Sequence, residues 1–317
     1  MTDSTNPQKT RPMSKLARAW DSDIAYAFRR SPVAIVSLAV AMTLVLAAVF
    51  APLIAPYNPF DPATLNLMNG FTPPSEPNAF TGETFWLGTD DQGRDVFSTI
   101  LYGLRISLFV GFAAVMLGLT LGVIAGLVSG YYGGWTDTLI MRTADVQLTF
   151  PSILVAMLIF GIAKGVTPVE YRDQMAIWVL ILAIGLSDWV QFARVVRGAT
   201  LVEKSKDYVA AARLIGRPPL AIMLRHILPN AMSPIFVIST VQVGNAIIAE
   251  ASLSFLGLGL PASQPSLGAL IASGFDYIFA GSWWITALPG GVLVVLVLVV
   301  VMVAAALVVQ SLLIVIR

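Results

Sequence analysis

Six apolar runs, five without charge and one with a single acid, are each long enough to cross a bilayer, and no soluble fold can bury them all. A hydrocarbon core takes roughly 20 residues of helix, since each residue advances the axis by about 1.5 Å. The runs 33–54 and 106–130 supply 22 and 25 residues. The run 146–163 supplies 18, with its helix expected to start nearer Leu139, and 174–193 supplies 20, interrupted by Asp188. The run 227–249 has 23 residues and 277–316 has 40, densely aliphatic from Pro289 onward. Lipid offers no partner for a free peptide group, so every crossing must be helical. With 57% apolar and 12% charged residues, a soluble enzyme, a disordered chain and a nucleic-acid binder are excluded. The sequence predicts an all-α polytopic membrane protein with six transmembrane helices. A seventh uncharged stretch, 251–275, is broken by Gly257, Gly259, Pro261, Pro265, Gly268 and Gly274, and reads as a loop or re-entrant segment.

Basic residues orient the spans. Residues 1–32 hold six and 194–225 hold seven, and four spans lie between them, so both clusters face the cytoplasm. The loop 56–103 has one arginine against six acids and is expected outside. Past Arg225 no basic residue occurs until Arg317, so span count alone places the last two helices and a cytoplasmic C-terminus. Residues 1–30 are read as a cytoplasmic tail ending in an interfacial helix, on the stripe Leu16, Trp20, Ile24 and Phe28 with flanking Lys15, Arg18, Arg29 and Arg30. A juxtamembrane helix packed on protein is the other reading. Residues 31–317 form the membrane domain, with the outer loop 56–103 and a cytoplasmic loop 194–228. Gly118, Gly122, Gly126 and Gly130 make a four-residue ladder along one helix face, as in close helix packing or a path-lining face.

Covalent chemistry has few candidates. There is no cysteine, a single histidine (His226) and no phosphate-binding G-x-x-x-x-G-K-[ST] loop. No cofactor or metal is expected in this chain. Asp188 is placed about 8 Å from the cytoplasmic end of its span, beside an interfacial Trp189. Glu250 is placed at the outer end of the fifth span, and Arg142 is expected to pair with Asp145. None reads as a midplane proton or ion site. The loop 203–230 predicts a short helix capped by Ser205 or Asp207, ended by Gly216 and cut off by Pro218-Pro219. Such a helix suits either an ordinary loop or a docking knob.

Ala210-Ala211-Ala212, three residues, Gly216, nine residues, His226, one residue and Leu228-Pro229 resemble the EAA loop of binding-protein-dependent ABC importer permeases. Ala210 replaces the motif's glutamate and His226 its isoleucine. Leu87-Gly-Thr-Asp-Asp-Gln-Gly-Arg-Asp95 resembles an element of dipeptide, oligopeptide and nickel permeases, as do Pro151-Ser152 and Phe255-Leu-Gly-Leu-Gly259. A polar tail usual for that C-type subunit is missing, since 296–316 stays aliphatic.

The resemblance implies a type I ABC importer permease in the bacterial inner membrane. Its partners would be a homologous permease, two ATPase subunits carrying ATP and magnesium, and a periplasmic solute-binding protein. Peptides would be the substrate, and the chain itself would catalyse nothing covalent. Asp207, Ala210, Ala211, Ala212, Arg213, Gly216 and Arg217 would couple to the ATPase. Thr89, Asp90, Asp91, Gly93, Arg94 and Asp95 would form an entrance element, either a structural turn in which Asp95 caps a helix starting at Val96 or a docking surface for the binding protein. The alternatives are a secondary transporter or channel acting without an ATPase, and an intramembrane enzyme.

Overall fold

The computed structural model describes residues 31–61, 65–261, 264 and 266–316, with side chains as far as Ala306. The tail and interfacial helix expected over 1–30 lie outside the described residues. Among those residues every regular element is a helix, and the only bridges are two isolated ones, Pro77 with Thr84 and Thr89 with Asp95. The elements are α1 (Pro32–Val49), α2 (Val96–Tyr132), α3 (Gly134–Leu148), α4 (Ser152–Val166) and α5 (Arg172–Lys204). They continue as α6 (Asp207–Leu214), α7 (Met232–Phe255), α8 (Leu267–Phe275) and α9 (Trp284–Ile316). Helices α1, α2, α5, α7 and α9 are each long and apolar enough to span a membrane, and α3 with α4 passes the same test only as a bent pair, for up to six crossings.

Local chemistry explains the starts and stops. Ser31 accepts the Ala34 N–H at 3.3 Å, and Pro32 opens α1, where its missing N–H costs nothing. Asp95 caps α2, accepting the Ser98 N–H at 2.9 Å and the Ser98 hydroxyl at 2.6 Å. The third span, expected as one helix, is two helices bent by 95°. Pro151 between them has no N–H to donate and sits in an extended conformation. The loop expected over 56–103 ends at Asp95, because α2 begins at its cap.

The bundle is organised by the contact of α2 with α5, the most extensive between any two helices. All four ladder glycines are buried in it. A Cβ on Gly122 would lie 2.4 Å from Phe192 Cβ and 2.6 Å from the Trp189 carbonyl. One on Gly126 would lie 2.6 Å from the Ala193 carbonyl, and one on Gly130 2.8 Å from Thr200 Cβ. Gly185 answers from the other side, against Ala114 and Leu117. The ladder is therefore a packing face. Its partners rise in number together along both helices, so α2 and α5 run parallel and the α3–α4 bend carries the chain back between them. Helix α7 lies antiparallel to α2, with Ile247 on Gly111 and Glu250 on Ser107.

Three acids differ from their sequence reading. Asp188 sits near the middle of the 33-residue α5 and is buried. The charge-free run stops at Ala193, but the helix continues to Lys204 because Arg194 and Arg197 find Asp145 and Asp137 on α3. Trp189 is no belt residue, since its ring N–H donates to Gln147 at 2.9 Å. Asp145 pairs with Arg194 across helices, not with Arg142. Glu250 lies near the end of α7 but is fully buried among serines.

Overfilling the seam is the sharpest test of this packing. Gly122→Leu should abolish recovery of monodisperse protein from membranes, since displacing two backbones costs more than the ~1–3 kcal/mol of ordinary overpacking. Gly161→Leu, where a Cβ meets nothing within 4 Å, should leave recovery unchanged.

Candidate functional site

At the end of the bundle where α5 finishes, α6 stands out as a short knob. Lys206 occupies the cap position without a side-chain cap bond, so neither Ser205 nor Asp207 caps it; Asp207 lies in the first turn, where its charge suits the helix dipole. The far end closes as a Schellman motif: the Gly216 N–H donates to the Arg213 carbonyl at 3.0 Å and the Arg217 N–H to the Ala212 carbonyl at 3.1 Å. Gly216 has φ +74°, and a Cβ there would meet nothing, so conformation alone demands glycine. The chain then restarts with Pro219 at the first helical position and passes through a π turn, Met223–Ile227, into α7.

The base of the knob is fastened. Glu203 accepts from Lys206 Nζ at 2.7 Å and from the Tyr208 hydroxyl. Asn230 donates to the Tyr208 oxygen at 3.3 Å and to the His226 carbonyl at 2.6 Å. Burial, then the Glu203 carboxylate, pushes the Tyr208 hydroxyl up to about 12, so it stays a donor at neutral pH. Lys204 and Arg213 lie over the Tyr131 ring, 5.7 and 5.2 Å from its centroid.

The seven expected coupling residues divide into two sets. Asp207, Ala210, Ala211, Arg213, Gly216 and Arg217 are exposed. Ala212 is 4% exposed and packs with Val209 into a core of Leu127, Val196 and Ile227, so it holds the knob in place and offers no surface. A docking role for Ala212 is therefore corrected. The sequence reading missed Leu214 and Ile215, 89% and 73% exposed at the tip beside Gly216. Two bulky apolar residues directly before the terminating glycine were the available signal.

At the other end, the Leu87–Asp95 element is a buried turn. Thr89, Asp90, Gly93, Arg94 and Asp95 are all inside it, and of the six residues expected at an entrance only Asp91 is partly exposed. Asp90 Oδ1 accepts the Gln92 and Arg94 N–H groups at 2.9 Å, and Arg94 Nε donates to Asp90 Oδ2 at 2.6 Å. Gly93 (φ +76°) lets the turn approach Asn66, whose carbonyl would lie 2.2 Å from a Cβ. The Trp284 ring N–H donates to the Thr89 carbonyl at 3.0 Å and ties the turn to α9. Burial and the neighbouring Asp90 charge raise the Asp91 carboxyl above the ordinary range. The element builds the loop and presents little of itself.

A bundle of six crossings with a capped knob at one end matches the family described as "binding-protein-dependent transport system inner membrane component" over residues 96–314. The chain belongs to that family. A second match, described as the N-terminal transmembrane domain of oligopeptide transport permease C, covers 19–74. The permease is 37% identical over 272 residues to the oligopeptide transport system permease protein OppC of Bacillus subtilis, covering 86% of this chain and 82% of that one. It is 33% identical over 291 residues to the dipeptide transport system permease protein DppC of Haemophilus influenzae, with 92% of each covered. It is 41% identical over 248 residues to the glutathione transport system permease protein GsiD of Escherichia coli, covering 77% and 74%.

The buried turn generates a test. Arg94→Ala leaves Asp90 charged, buried and without its ion pair, a loss of about 3–5 kcal/mol. The permease should then lose its thermal transition or shift it well below that of the unsubstituted chain. Gln92→Ala, partly exposed and one turn residue away, should shift it by no more than the scatter of surface substitutions.

Proposed function

We propose that this permease forms half of the translocation path of a peptide importer in a bacterial inner membrane, and that α6 is its coupling element. The observation that carries this reading is the knob. Its base is locked by Glu203, Tyr208 and Asn230, and its tip exposes Leu214 and Ile215 with no cover among the described residues. An isolated apolar tip on a rigid base suits a groove on a cytoplasmic ATPase, where alanines at 210 and 211 permit close approach. ATP and magnesium belong to that partner. Arg213 and Arg217 lie at the rim, where charges steer association more than they strengthen it.

The peptide reading rests on the printed names of the relatives, which are oligopeptide, dipeptide and glutathione permeases. A second, homologous permease would complete the path, and a periplasmic binding protein would deliver the ligand to the end bearing the 55–95 loop. An apolar groove of about 820 Å³ between α2 and α7, lined by Phe112, Met116, Phe236 and Thr240, is the concave face we assign to that pairing. A transporter acting alone has no use for a knob with an uncovered apolar tip.

Leu214→Asp and Ala211→Trp alter exposed positions and should leave insertion and pairing with the second permease intact. ATPase subunits recovered with the permease should fall at least about tenfold, as expected when a central apolar contact worth ~1.4 kcal/mol or more is lost. Gly216→Val should act in the same direction through the turn. Unchanged ATPase recovery and ATP-driven uptake in all three would remove the coupling assignment.

A further inference from the structure

Glu250 is fully buried, and the contacts described for its carboxylate come from serine hydroxyls on three elements. The Ser107 hydroxyl of α2 donates to Oε2 at 2.8 Å, and the Ser254 hydroxyl of α7 donates to Oε1 at 2.7 Å. Ser266, which caps α8, stands close enough to the same carboxylate to interact with it. A hydroxyl that donates to Glu250 turns its proton inward and keeps its lone pairs free for other donors. Two of those hydroxyls spend them on the first turn of α8. Ser107 Oγ accepts the Leu267 N–H at 3.2 Å, and Ser266 Oγ accepts the Ala269 N–H at 3.3 Å.

The backbones are as close as the side chains. A Cβ on Gly268 would lie 2.4 Å from the Ala251 carbonyl, and one on Gly259 2.1 Å from Ser254 Oγ. The start of α8 therefore rests directly on α7 beside Glu250. Helix α7 is also the element into which the coupling loop runs, through Pro219, the π turn and Asn230. One continuous helix thus connects the ATPase-facing loop to the carboxylate beside α8 at the opposite mouth.

We propose that Glu250 is a positioning residue of the transport cycle: through Ser107 and Ser266 it makes α8 follow α7, so that movement at the coupling end opens or closes the mouth at the other. This rests on the coupling role given to α6. Glutamine at 250 tests it, because its amide presents two N–H donors where a hydroxyl now donates. One serine must turn away and release an N–H of α8, although shape and volume are kept.

The experiment uses the whole transporter in liposomes, with Ser273→Cys on the exposed side of α8 as the single cysteine of this chain. A membrane-impermeant maleimide reads the exposure of α8 with and without ATP, and tri-alanine uptake is measured against ATP hydrolysed. The unsubstituted background should label at rates that differ several-fold between the two states. Glu250→Gln should make labelling independent of ATP and lower uptake per ATP about tenfold, within the usual range of coupling between sites, while hydrolysis stays within about twofold. Ser107→Ala, which removes only the α2 hydroxyl, should move both readouts in the same direction, and it carries the test if the glutamine variant does not assemble. State-dependent labelling and normal uptake per ATP in these variants would overturn the proposal. Absence of any ATP effect in the unsubstituted transporter would instead overturn the importer reading beneath it.

Discussion

The structure depends on two long helices touching backbone to backbone. In lipid, burial of apolar surface does not drive helices together, so contact must come from close van der Waals approach. Gly118, Gly122, Gly126 and Gly130 make that approach possible, and α5 supplies carbonyls and β-carbons at distances no side chain on α2 would tolerate. The seam fixes α5 against α2 along most of its length. The end of α5 in turn fixes where α6 emerges, because Glu203 and Lys206 bind the knob to the last turn. A contact without side chains on one face thus sets the position of the exposed apolar tip of α6 at the far end.

Where the chain must bury polarity, it does so in closed sets. Asp90 and Arg94 satisfy a loop, the part-buried Asp137 binds Arg197 through both carboxylate oxygens, and Glu250 accepts from two serines. A buried ion or carboxylate adds little stability beyond an apolar substitute, but breaking one partner is costly. Such sets therefore act as geometric locks. They occur where a loop or short helix must be held against the bundle: the outer turn on α9, α3 on α5, and α8 on α2 and α7.

Much of this was legible in the sequence. Charge-free runs gave the six crossings, the glycine ladder gave its packing face, Asp95 gave the start of α2, and Gly216 gave the end of α6. Each is a local rule written in residue type and spacing. The failures share a cause, since each needed a partner distant in sequence. Run length could not show that Arg194 and Arg197 would pair with α3, and so ended at Ala193 a helix that continues to Lys204. Nothing local distinguishes Ala211, exposed, from Ala212, buried under Leu127. The 89–95 motif left open a structural turn or a docking surface, and its polar groups satisfy one another inside a turn. Pro151 was visible, but the 95° bend depends on how α4 packs on α5.

The account's central claim is that the tip of α6 meets an ATPase on the side of the membrane opposite the 55–95 loop. A chain without native cysteine permits a direct measurement, with one cysteine placed at Leu214 or at Thr81 and a short bifunctional cross-linker applied to the assembled transporter. The cysteine at 214 should give an adduct with the ATPase subunit and the one at 81 should give none. An ATPase adduct from position 81, or none from position 214 in a transporter that still hydrolyses ATP, would contradict the account.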